Sequence, residues 1–394
     1  MTDRPRRPRQ KEWDAAIRGR VVTPRGVIDN GVVRTRNGEI AHVGPAGRAR
    51  RFEYEAAWVL PGFVDLHVHG GGGHTFTTGD VAQARAAAAF HARHGTTTML
   101  ASLVTAPFEL MRDATLAYQP LIDEGVIEGL HFEGPYLSAA RCGAQNPAHL
   151  RDPDPAELRA LLDLGGVRMV TIAPERPGAL AAIELLVTRR VIAAVGHTDA
   201  TYDQTRDAIA AGARVATHLC NAMRPVHNRE PGPIVALLSS PDVVCELIAD
   251  GIHLHDGMLR FAAGTAGAER TALVTDAMAA AGMPDGRYEL GGLLVDVADG
   301  AARLATAGTT AGTTTGTTPG VIAGSTLTMD AALRRAVHSG IDIAKAARMA
   351  ATTPARVLGL DDRGVIEPGW QADLVLLDDD LHITAVLRRG QLVG

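Results

Sequence analysis

Cysteine is scarce in this chain of 394 residues, which contains only Cys142, Cys220 and Cys245. So small and odd a number excludes a disulfide framework and predicts a reducing, cytoplasmic location. The sequence has no C-x-x-C pair, so a structural zinc site built on thiolates is not expected. Aromatic residues make up 4% of the chain, while histidine occurs 15 times. We therefore expect imidazole chemistry, rather than aromatic stacking, to carry the function.

Net positive charge and long apolar runs are lacking as well. The formal net charge is −5, whereas a protein that binds nucleic acid usually carries a basic surface. No apolar run approaches the roughly 20 residues that span a bilayer. Neither nucleic acid nor a membrane is therefore an expected partner. Residues 1–13 are basic but lead into no apolar segment, so they predict a flexible, solvated arm and not a secretory signal.

Short apolar strands alternate with amphipathic helices through the middle of the chain, which favours β–α units with parallel strands. The eight predicted strands cover residues 63–67, 97–103, 127–132, 167–172, 192–196, 214–217, 243–249 and 272–275. Helices are predicted between them, for example at 81–94, 107–123, 155–164, 179–188 and 204–211. This count predicts an α/β protein with a (β/α)8, TIM-type barrel.

A doubly wound open sheet is the alternative to a barrel. Such a sheet normally has fewer strands, and a glycine-rich phosphate loop follows its first strand. Residues 70–73 are four glycines without the G-x-G-x-x-G spacing. We interpret them as a flexible loop and not as a dinucleotide site.

Both ends of the chain are rich in β-strand patterns and poor in helix patterns. Asn30-Gly31 and Asn37-Gly38 predict hairpin turns near the first end. Residues 287–306 predict an inserted β-ribbon, and the Gly/Thr-rich residues 307–320 predict a mobile surface loop. Two further helices are predicted at 327–338 and 343–358.

Side chains that bind metals follow the predicted strands at the points where the strands end. They are His67, His69, Glu133, His197, His218 and Asp276, with His253 just after the seventh strand. His67 and His69 are two residues apart, so both point to one face of their strand. The carboxyl ends of barrel strands meet at one mouth. The sequence therefore predicts a metal site there.

The chemistry of this donor set predicts metal-assisted hydrolysis. Imidazoles and carboxylates without thiolates favour Zn²⁺, Fe²⁺, Mn²⁺ or Co²⁺ over copper(I) or an iron–sulfur cluster. A water molecule on such a dication has its pKa lowered from 15.7 towards ~7. A neighbouring carboxylate can take a proton from it and return that proton to a leaving group.

Seven strings resemble those of the N-acetylglucosamine-6-phosphate deacetylases of the amidohydrolase superfamily. They are LPGFVDLHVHG, HFEGPYLS, VGHTDATYDQ, THLCNAMRPVHNREPG, ADGIHLH, LVTDAM and AGSTLTMD. The resemblance implies a metal-dependent barrel over 61–360 and a small β-sandwich domain built from 14–60 and 361–394. It also implies hydrolysis of N-acetylglucosamine 6-phosphate to glucosamine 6-phosphate and acetate.

The resemblance implies a role for each site residue. Glu133, His197 and His218 match the core metal ligands, and His67 and His69 match members that hold a second ion. One or two ions per subunit are thus expected, with zinc first among the candidates. Asp276 matches a residue that contacts the metal and acts as general base and then as general acid.

The phosphosugar is expected to meet a second group of residues. The resemblance assigns phosphate binding to Asn221, the Ala222 backbone N–H and His253. Arg229 matches an arginine that reaches the neighbouring site of a homodimer. Arginine suits a phosphate because its planar fork donates two hydrogen bonds.

The loop after Glu133 departs from the family pattern. Many members have a histidine in a GxHNP-like string, whereas this chain reads GAQNP with Gln145 in its place. Glutamine donates an N–H but carries no charge. We hypothesise that an ion held by His67 and His69 supplies the missing polarisation of the carbonyl. Cys142 in the same loop is a candidate for closing over the sugar.

Other functions remain open at this point. The substrate is alternatively N-acetylgalactosamine 6-phosphate or another N-acyl compound. A barrel that binds sugar phosphates as a sensor, without catalysis, is the alternative from outside the enzymes. Phosphate recognition by Arg229 and His253 discriminates among the substrates, and the presence of Asp276 favours an enzyme over a sensor.

Overall fold

The computed structural model describes residues 13–47, 51–305 and 320–394. The predicted basic arm, except Trp13, and the predicted mobile loop, except Gly320, lie outside the described residues. Within the described ranges, no helix is both long and apolar enough to cross a membrane.

Twenty strands are present in the described part of the chain. They are β1 (Ala15–Thr23), β2 (Gly26–Arg36), β3 (Glu39–Pro45), β4 (Tyr54–Pro61), β5 (Phe63–Val68), β6 (Gly70–Gly71), β7 (His74–Thr75), β8 (Thr96–Leu103), β9 (Gly129–Glu133), β10 (Val167–Ile172), β11 (Ile192–Val195), β12 (Val215–Ala216), β13 (Val244–Ile248), β14 (Thr271–Val274), β15 (Gly286–Leu290), β16 (Leu293–Ala298), β17 (Ala301–Leu304), β18 (Leu374–Leu377), β19 (Ile383–Arg388) and β20 (Gln391–Leu392).

The α-helices surround the strands that they connect. They are α1 (Val81–Arg93), α2 (Phe108–Asp123), α3 (Pro155–Asp163), α4 (Ala179–Thr188), α5 (Tyr202–Ala211), α6 (Gly232–Ser239), α7 (Asp256–Ala266), α8 (Met329–His338), α9 (Ile343–Ala347) and α10 (Thr353–Val357). A π-helical turn, Arg348–Thr352, interrupts the helix predicted over 343–358.

Eight parallel strands form the barrel sheet in the order β14-β13-β12-β11-β10-β9-β8-β5. All eight predicted strands are present, and the strand predicted at 167–172 has the observed bounds. Near-continuous apolar runs form these strands because helices cover the outer face while side chains fill the interior. The first and last strands approach each other through Asp276 N–H, which donates to the His67 carbonyl at 2.8 Å.

Local signals account for where helices begin and end. Asp80 precedes α1 and accepts hydrogen bonds from the backbone N–H groups of Ala82 and Gln83. Thr201 and Gln204 form a capping box at the start of α5, which ends at Gly212 in the left-handed conformation. Each cap satisfies N–H or C=O groups that the end of a helix leaves unpaired.

The two chain ends meet in one seven-stranded sheet of order β20-β19-β18-β4-β1-β2-β3. Asn37 and Gly38 form the predicted hairpin turn between β2 and β3, and both have positive φ, at 54° and 82°. The turn predicted at Asn30-Gly31 is wrong. These residues lie inside β2, at an irregularity in its pairing with β1, because an extra residue there bulges out of the ladder.

The four glycines at 70–73 are not the predicted flexible loop. They form a tight hairpin in which β6 pairs with β7 and in which Gly72 and Gly73 have positive φ, at 62° and 85°. A Cβ atom at Gly71 would lie 2.6 Å from the His91 and Phe90 side chains of α1. Glycine is therefore required there by close packing.

The predicted β-ribbon is confirmed as a separate three-stranded sheet, β15-β16-β17. Leu290, Val295 and Leu304 of this sheet pack with Val104 and Met278 in a small core of their own. Val104 and Met278 follow barrel strands β8 and β14. The inserted sheet is thereby held against the carboxyl end of the barrel.

Candidate metal centre

The carboxyl ends of the barrel strands bring together the side chains that the sequence singles out. His67 lies in β5, Glu133 ends β9, and His69, His197, His218 and Asp276 lie within three residues after their strands. All six are buried, with exposed fractions of 7% or less. The prediction that residues some 200 positions apart meet at one mouth is therefore confirmed.

Two groups of possible ligands share one carboxylate. His67, His69 and Glu133 form the first group, and Glu133, His197 and His218 form the second. His69 Nε2 lies 3.2 Å from Glu133 Oε2. His197 Nε2 and His218 Nε2 lie 2.9 and 3.0 Å from Glu133 Oε1. Glu133 therefore stands between two places that a cation could occupy.

The imidazoles present their Nε2 atoms to the centre of the cluster. His69 Nδ1 lies 3.1 Å from the Ser102 carbonyl, and His197 Nδ1 lies 2.9 Å from the Arg141 carbonyl. A carbonyl oxygen only accepts hydrogen bonds, so each Nδ1 carries a proton and Nε2 is the nitrogen that can bind a metal ion. The Nε2 atoms of His67 and His69 are 3.1 Å apart, and so are those of His197 and His218.

The charges in the cluster shift the pKa values of its members. Burial lowers the pKa of His69, but hydrogen bonds with Asp276 and Glu133 outweigh this and raise it to about 9. Burial also opposes the charged form of His67, yet Glu133 and Asp276 raise its pKa well above the usual value. Burial raises the pKa of Glu133, whereas His67 and His197 hold it well below its usual range. The cluster thus favours positive charge at its centre.

A divalent cation fits this arrangement. Converging imidazole lone pairs repel one another unless a proton or a metal ion lies between them, and a buried carboxylate needs a counter-charge. Nitrogen and oxygen donors without thiolates are the set expected for zinc and its borderline neighbours. The residues present therefore fit a bound divalent metal ion. The chemistry of the donor set supports this class of ion rather than one particular element.

Asp276 lies against the first ligand group. Its Oδ1 is 3.2 Å from His69 Nε2 and 3.5 Å from His67 Nε2. Burial raises the pKa of this carboxyl, but the charge of His67 and the hydrogen bond with His69 lower it below the usual value. A deprotonated Asp276 is therefore available as a ligand or as a base.

Backbone strain is concentrated at the same strand ends. Five residues other than glycine have positive φ there, namely His197, His218, Cys220, Ala222 and Asp276. Such conformations are costly for residues with a Cβ and persist only where the surroundings hold them. Here the strained turns aim two imidazoles and one carboxylate into the cluster.

A cavity of about 340 Å³ opens above the cluster. This volume is near the lower end for small-molecule sites, so it suits one compact ligand. Asn221, Ala222 and His253 line it, while Leu290, Val321 and Ile322 contribute an apolar wall from the inserted sheet and the residues after it. Two clefts of about 810 and 830 Å³ exist elsewhere, but no member of the cluster lines either one.

Some of the predicted substrate residues lie at the cavity, and others do not. His253 lies there with its Nδ1 2.6 Å from Asp250 Oδ2. The Asn221 side chain donates back to the His218 carbonyl at 3.2 Å. Arg229 is exposed and does not line the cavity. Cys142 does not line it either, although Arg141 and Gly143 on both sides of it do.

Gln145 lies at the cavity but points at a ligand. Its side-chain N–H donates to Glu133 Oε2 at 2.6 Å, and its carbonyl oxygen accepts from the Thr105 backbone N–H at 2.7 Å. It is 4% exposed. The amide thus holds the shared carboxylate, which the sequence did not indicate.

Comparison with known proteins agrees with this architecture. A sequence model described as the Amidohydrolase family matches residues 58–393. The chain belongs to the amidohydrolase family. The N-acetylglucosamine-6-phosphate deacetylase of Lysinibacillus sphaericus is 33% identical over 382 residues, which cover 94% of this chain and 95% of that protein.

Two further relatives of this amidohydrolase extend the comparison. The N-acetylgalactosamine-6-phosphate deacetylase of Escherichia coli O157:H7 is 37% identical over 384 residues, covering 95% of this chain and 98% of that protein. The crystal structure of N-acetyl-D-glucosamine-6-phosphate deacetylase from Mycobacterium smegmatis superposes with a TM-score of 0.89 at 46% identity, covering 96% of this chain and 100% of that chain.

Sequence reasoning missed the groups that support the ligands of this amidohydrolase. The Ser102 and Arg141 carbonyls leave no signal in a sequence because every residue carries one. Glu246 did leave a signal, since a glutamate within the apolar string VVCELIA is unusual for a buried strand. Its side chain is fully buried 3.3 Å from His67.

Proposed function

We propose that this chain hydrolyses the acetamide of N-acetylglucosamine 6-phosphate, giving glucosamine 6-phosphate and acetate. The observation that carries the proposal is the position of Asp276. Its carboxylate lies beside the first of two groups of possible metal ligands that share Glu133, and it lines the same small cavity as both groups. A hydrolase needs this combination, whereas a binding protein needs only the cavity. Relatives that are named for this reaction support the substrate.

We propose Zn²⁺ as the ion, with Fe²⁺, Mn²⁺ and Co²⁺ as the other candidates. His67, His69, Glu133, His197 and His218 would hold one or two ions, with Asp276 as a further ligand. When bound, such an ion lowers the pKa of a water molecule and polarises the amide carbonyl.

Asp276 moves the proton in this proposal. As the water oxygen bonds to the acetyl carbon, the carboxylate takes the proton from the water. It then gives that proton to the amide nitrogen while the C–N bond breaks, so that the products are the free amine and acetate. The lowered pKa of Asp276 suits the first half, because the group must start deprotonated.

The rest of the cavity is assigned to holding the phosphosugar. We propose that His253, Asn221 and the Ala222 backbone N–H bind the phosphate, and that Gln145 acts on the carbonyl side of the cavity. One N–H of Gln145 is committed to Glu133, so its second N–H is the one left to donate to the carbonyl oxygen of the substrate. Cys142 stays a candidate loop residue.

A homodimer completes the phosphate site in this proposal. Arg229 is exposed and does not line the cavity of its own chain. It is therefore available to a phosphate presented by a second copy, which its planar fork suits. We further propose a small domain of residues 14–60 and 361–394 beside a barrel of residues 61–360. A cytoplasmic location fits the three free cysteines of the described chain.

The release of acetate tests the function. Purified, zinc-loaded protein is mixed with N-acetylglucosamine 6-phosphate, and acetate and free amine are measured over time. We expect both products in equal amounts, with a higher kcat/KM than for unphosphorylated N-acetylglucosamine. Tight binding of the phosphosugar without any acetate, from protein with full metal content, supports a sensor and rejects the enzyme.

N-acetylgalactosamine 6-phosphate is the second candidate substrate. The 37% identity to a relative named for that compound favours its inclusion. The two sugars differ only in the orientation of one hydroxyl group. Running both in the same assay decides the preference, and a higher kcat/KM for the galacto compound reverses our assignment.

A further inference from the structure

A buried glutamate lies beneath the metal cluster and is not among the ligands. Glu246 is in the middle of β13, where all five residues are buried, and its own exposed fraction is 0%. Its Oε2 lies 3.3 Å from His67 Nδ1 and 3.2 Å from the His218 backbone nitrogen. One carboxylate oxygen thus contacts one residue from each of the two ligand groups.

By itself, the burial of this carboxylate lowers the stability of the barrel. Its other oxygen, Oε1, has no hydrogen-bond partner among the described residues. Charged groups are rarely fully buried, and a half-satisfied one costs more than an apolar side chain of similar size. The position therefore calls for an explanation beyond stability.

The contact with His67 supplies that explanation. A carboxylate only accepts hydrogen bonds, so His67 Nδ1 must carry the proton in this pair. His67 Nε2 is then the nitrogen that can bind a metal ion, and it lies 3.1 Å from His69 Nε2 and 3.5 Å from Glu133 Oε1. Carboxylates that hold a ligand imidazole in this way orient the ring and raise its basicity.

Glu246 differs from the groups that orient the other ligand imidazoles in being a side chain. His69 and His197 are oriented by the Ser102 and Arg141 carbonyls, which substitution does not remove. His218 Nδ1 has no partner among the described residues. His67 is therefore the imidazole whose orientation depends on the chemical nature of another residue.

We propose that Glu246 is a positioning residue that makes His67 a metal ligand and so determines whether the His67–His69–Glu133 group holds an ion. This inference rests on the proposed function only in taking the cluster to be a metal centre. The second group, Glu133–His197–His218, keeps its three donor atoms when the Glu246 side chain is changed.

Metal binding without substrate tests the proposal. Metal-free wild-type protein and the variants Glu246→Ala, Glu246→Asp and Glu246→Gln are titrated with Zn²⁺ by calorimetry, and bound zinc is counted after dialysis. Thr98→Val is the matched control, because it removes a buried and unpartnered hydroxyl from barrel strand β8. Circular dichroism and urea unfolding verify that each variant is folded.

We expect Glu246→Ala to weaken the binding of one zinc ion by about 10- to 100-fold, the range seen for groups that support metal ligands. Glu246→Asp should behave similarly, because its carboxylate is one methylene shorter and withdraws from His67. Glu246→Gln should retain most of the affinity, since its amide oxygen accepts the same N–H. Thr98→Val should bind zinc as the wild type does.

If folded Glu246→Ala and Glu246→Asp proteins bind zinc with the affinity and stoichiometry of the wild type, the proposal is overturned. Equal weakening of all bound zinc, with no rescue by glutamine, also rejects it in favour of a general structural role. If Glu246→Ala fails to fold, the comparison between Asp and Gln decides. If the wild type releases no acetate but Glu246→Ala loses one zinc ion, the proposed function is refuted and the positioning role of Glu246 stands.

Discussion

The side-chain amide of Gln145 donates to Glu133 Oε2 at 2.6 Å, so Gln145 holds the carboxylate shared by both groups of possible ligands. The same amide accepts from the Thr105 N–H at 2.7 Å. Gln145 is therefore fixed from both ends and contributes to the order of the metal centre.

Replacement of Gln145 by alanine should lower kcat and zinc affinity together. It removes one hydrogen bond from the buried Glu133 carboxylate and leaves the buried Thr105 N–H without its partner, and the unpaired N–H alone costs about 1–3 kcal/mol of stability. We expect kcat to fall by roughly 10-fold and urea unfolding to shift to lower urea. His67→Ala should cost more activity, because it removes a ligand rather than its support. The opposite order of steady-state rates contradicts an ion at His67 and His69 as the source of carbonyl polarisation.

Replacement of Asp276 by asparagine should separate chemistry from metal binding. Asparagine keeps the size of the side chain but cannot take up a proton, so we expect kcat to fall by ~10²-fold or more. The five other ligands should retain the metal, as measured by elemental analysis. Near-normal turnover at full metal content removes Asp276 from the mechanism.

Arg229→Ala should raise KM for the phosphorylated sugar and leave KM for the unphosphorylated sugar unchanged. A hydrogen bond to a charged group contributes about 1.5–3 kcal/mol, which corresponds to roughly 10- to 100-fold in KM. Mixed dimers of Arg229→Ala and Asp276→Asn subunits identify the subunit that provides the arginine. If Arg229 acts on the neighbouring site, one site of the mixed dimer is complete and regains the low KM. If the mixed dimers instead have the KM of Arg229→Ala, the arginine acts on the site of its own subunit.

Removal of the metal should destabilise the folded protein. A ligand that binds only the folded state stabilises it by about 2.7 kcal/mol when present at 100 times its Kd. We therefore expect the Tm of chelator-treated protein to rise as Zn²⁺ is added, and to stop rising when the cluster is disrupted by Glu133→Ala. A Tm that is independent of zinc in the wild type contradicts a metal centre.

The buried His91 should make the fold sensitive to mild acid. Burial lowers its pKa to about 4, while its Nε2 lies 2.8 Å from the Gly70 carbonyl. Because the unfolded chain takes up this proton near pH 6.5, stability is retained above that pH and is lost as pH falls towards 4. Between pH 7.5 and pH 5 the loss should be about 2 kcal/mol.

The His91 contribution is measured by urea unfolding of metal-free wild-type and His91→Gln protein at the two pH values, because the raised pKa values of His67 and His69 act in the opposite direction and are common to both proteins. From pH 7.5 to pH 5, the free energy of unfolding of the wild type should fall by about 2 kcal/mol relative to that of His91→Gln. His382→Gln, which changes an exposed histidine, is the control and should leave the difference unchanged. If the free energy of unfolding changes between the two pH values by the same amount in His91→Gln as in the wild type, other groups cause the acid sensitivity.

Much of the barrel was predictable because its information is local. Five of the six residues at 167–172 are apolar or β-branched, and the predicted bounds of this strand match the structure. Asp80 and the Thr201–Gln204 pair are cap signals that act within four residues. The strand at Val215–Ala216 is shorter than predicted, since apolar character alone does not set where pairing ends.

Errors arose where a distant partner decides the conformation. Asn30-Gly31 has the composition of a turn, but pairing with β1 turns it into an irregularity within β2. The glycines at 70–73 are flexible as a peptide, yet packing against Phe90 and His91 makes them a tight hairpin.

The sequence by itself determined which donor atoms the chain carries and that they follow the ends of barrel strands. Only the tertiary structure decided that Glu133 stands between two ligand groups, that Gln145 faces Glu133, and that Glu246 holds His67 across 179 positions of chain. The physical reason is that metal affinity depends on the distances between donor atoms to within tenths of an ångström, and on which imidazole nitrogen carries the proton. These are set by barrel closure and side-chain packing, which involve residues that no local pattern connects.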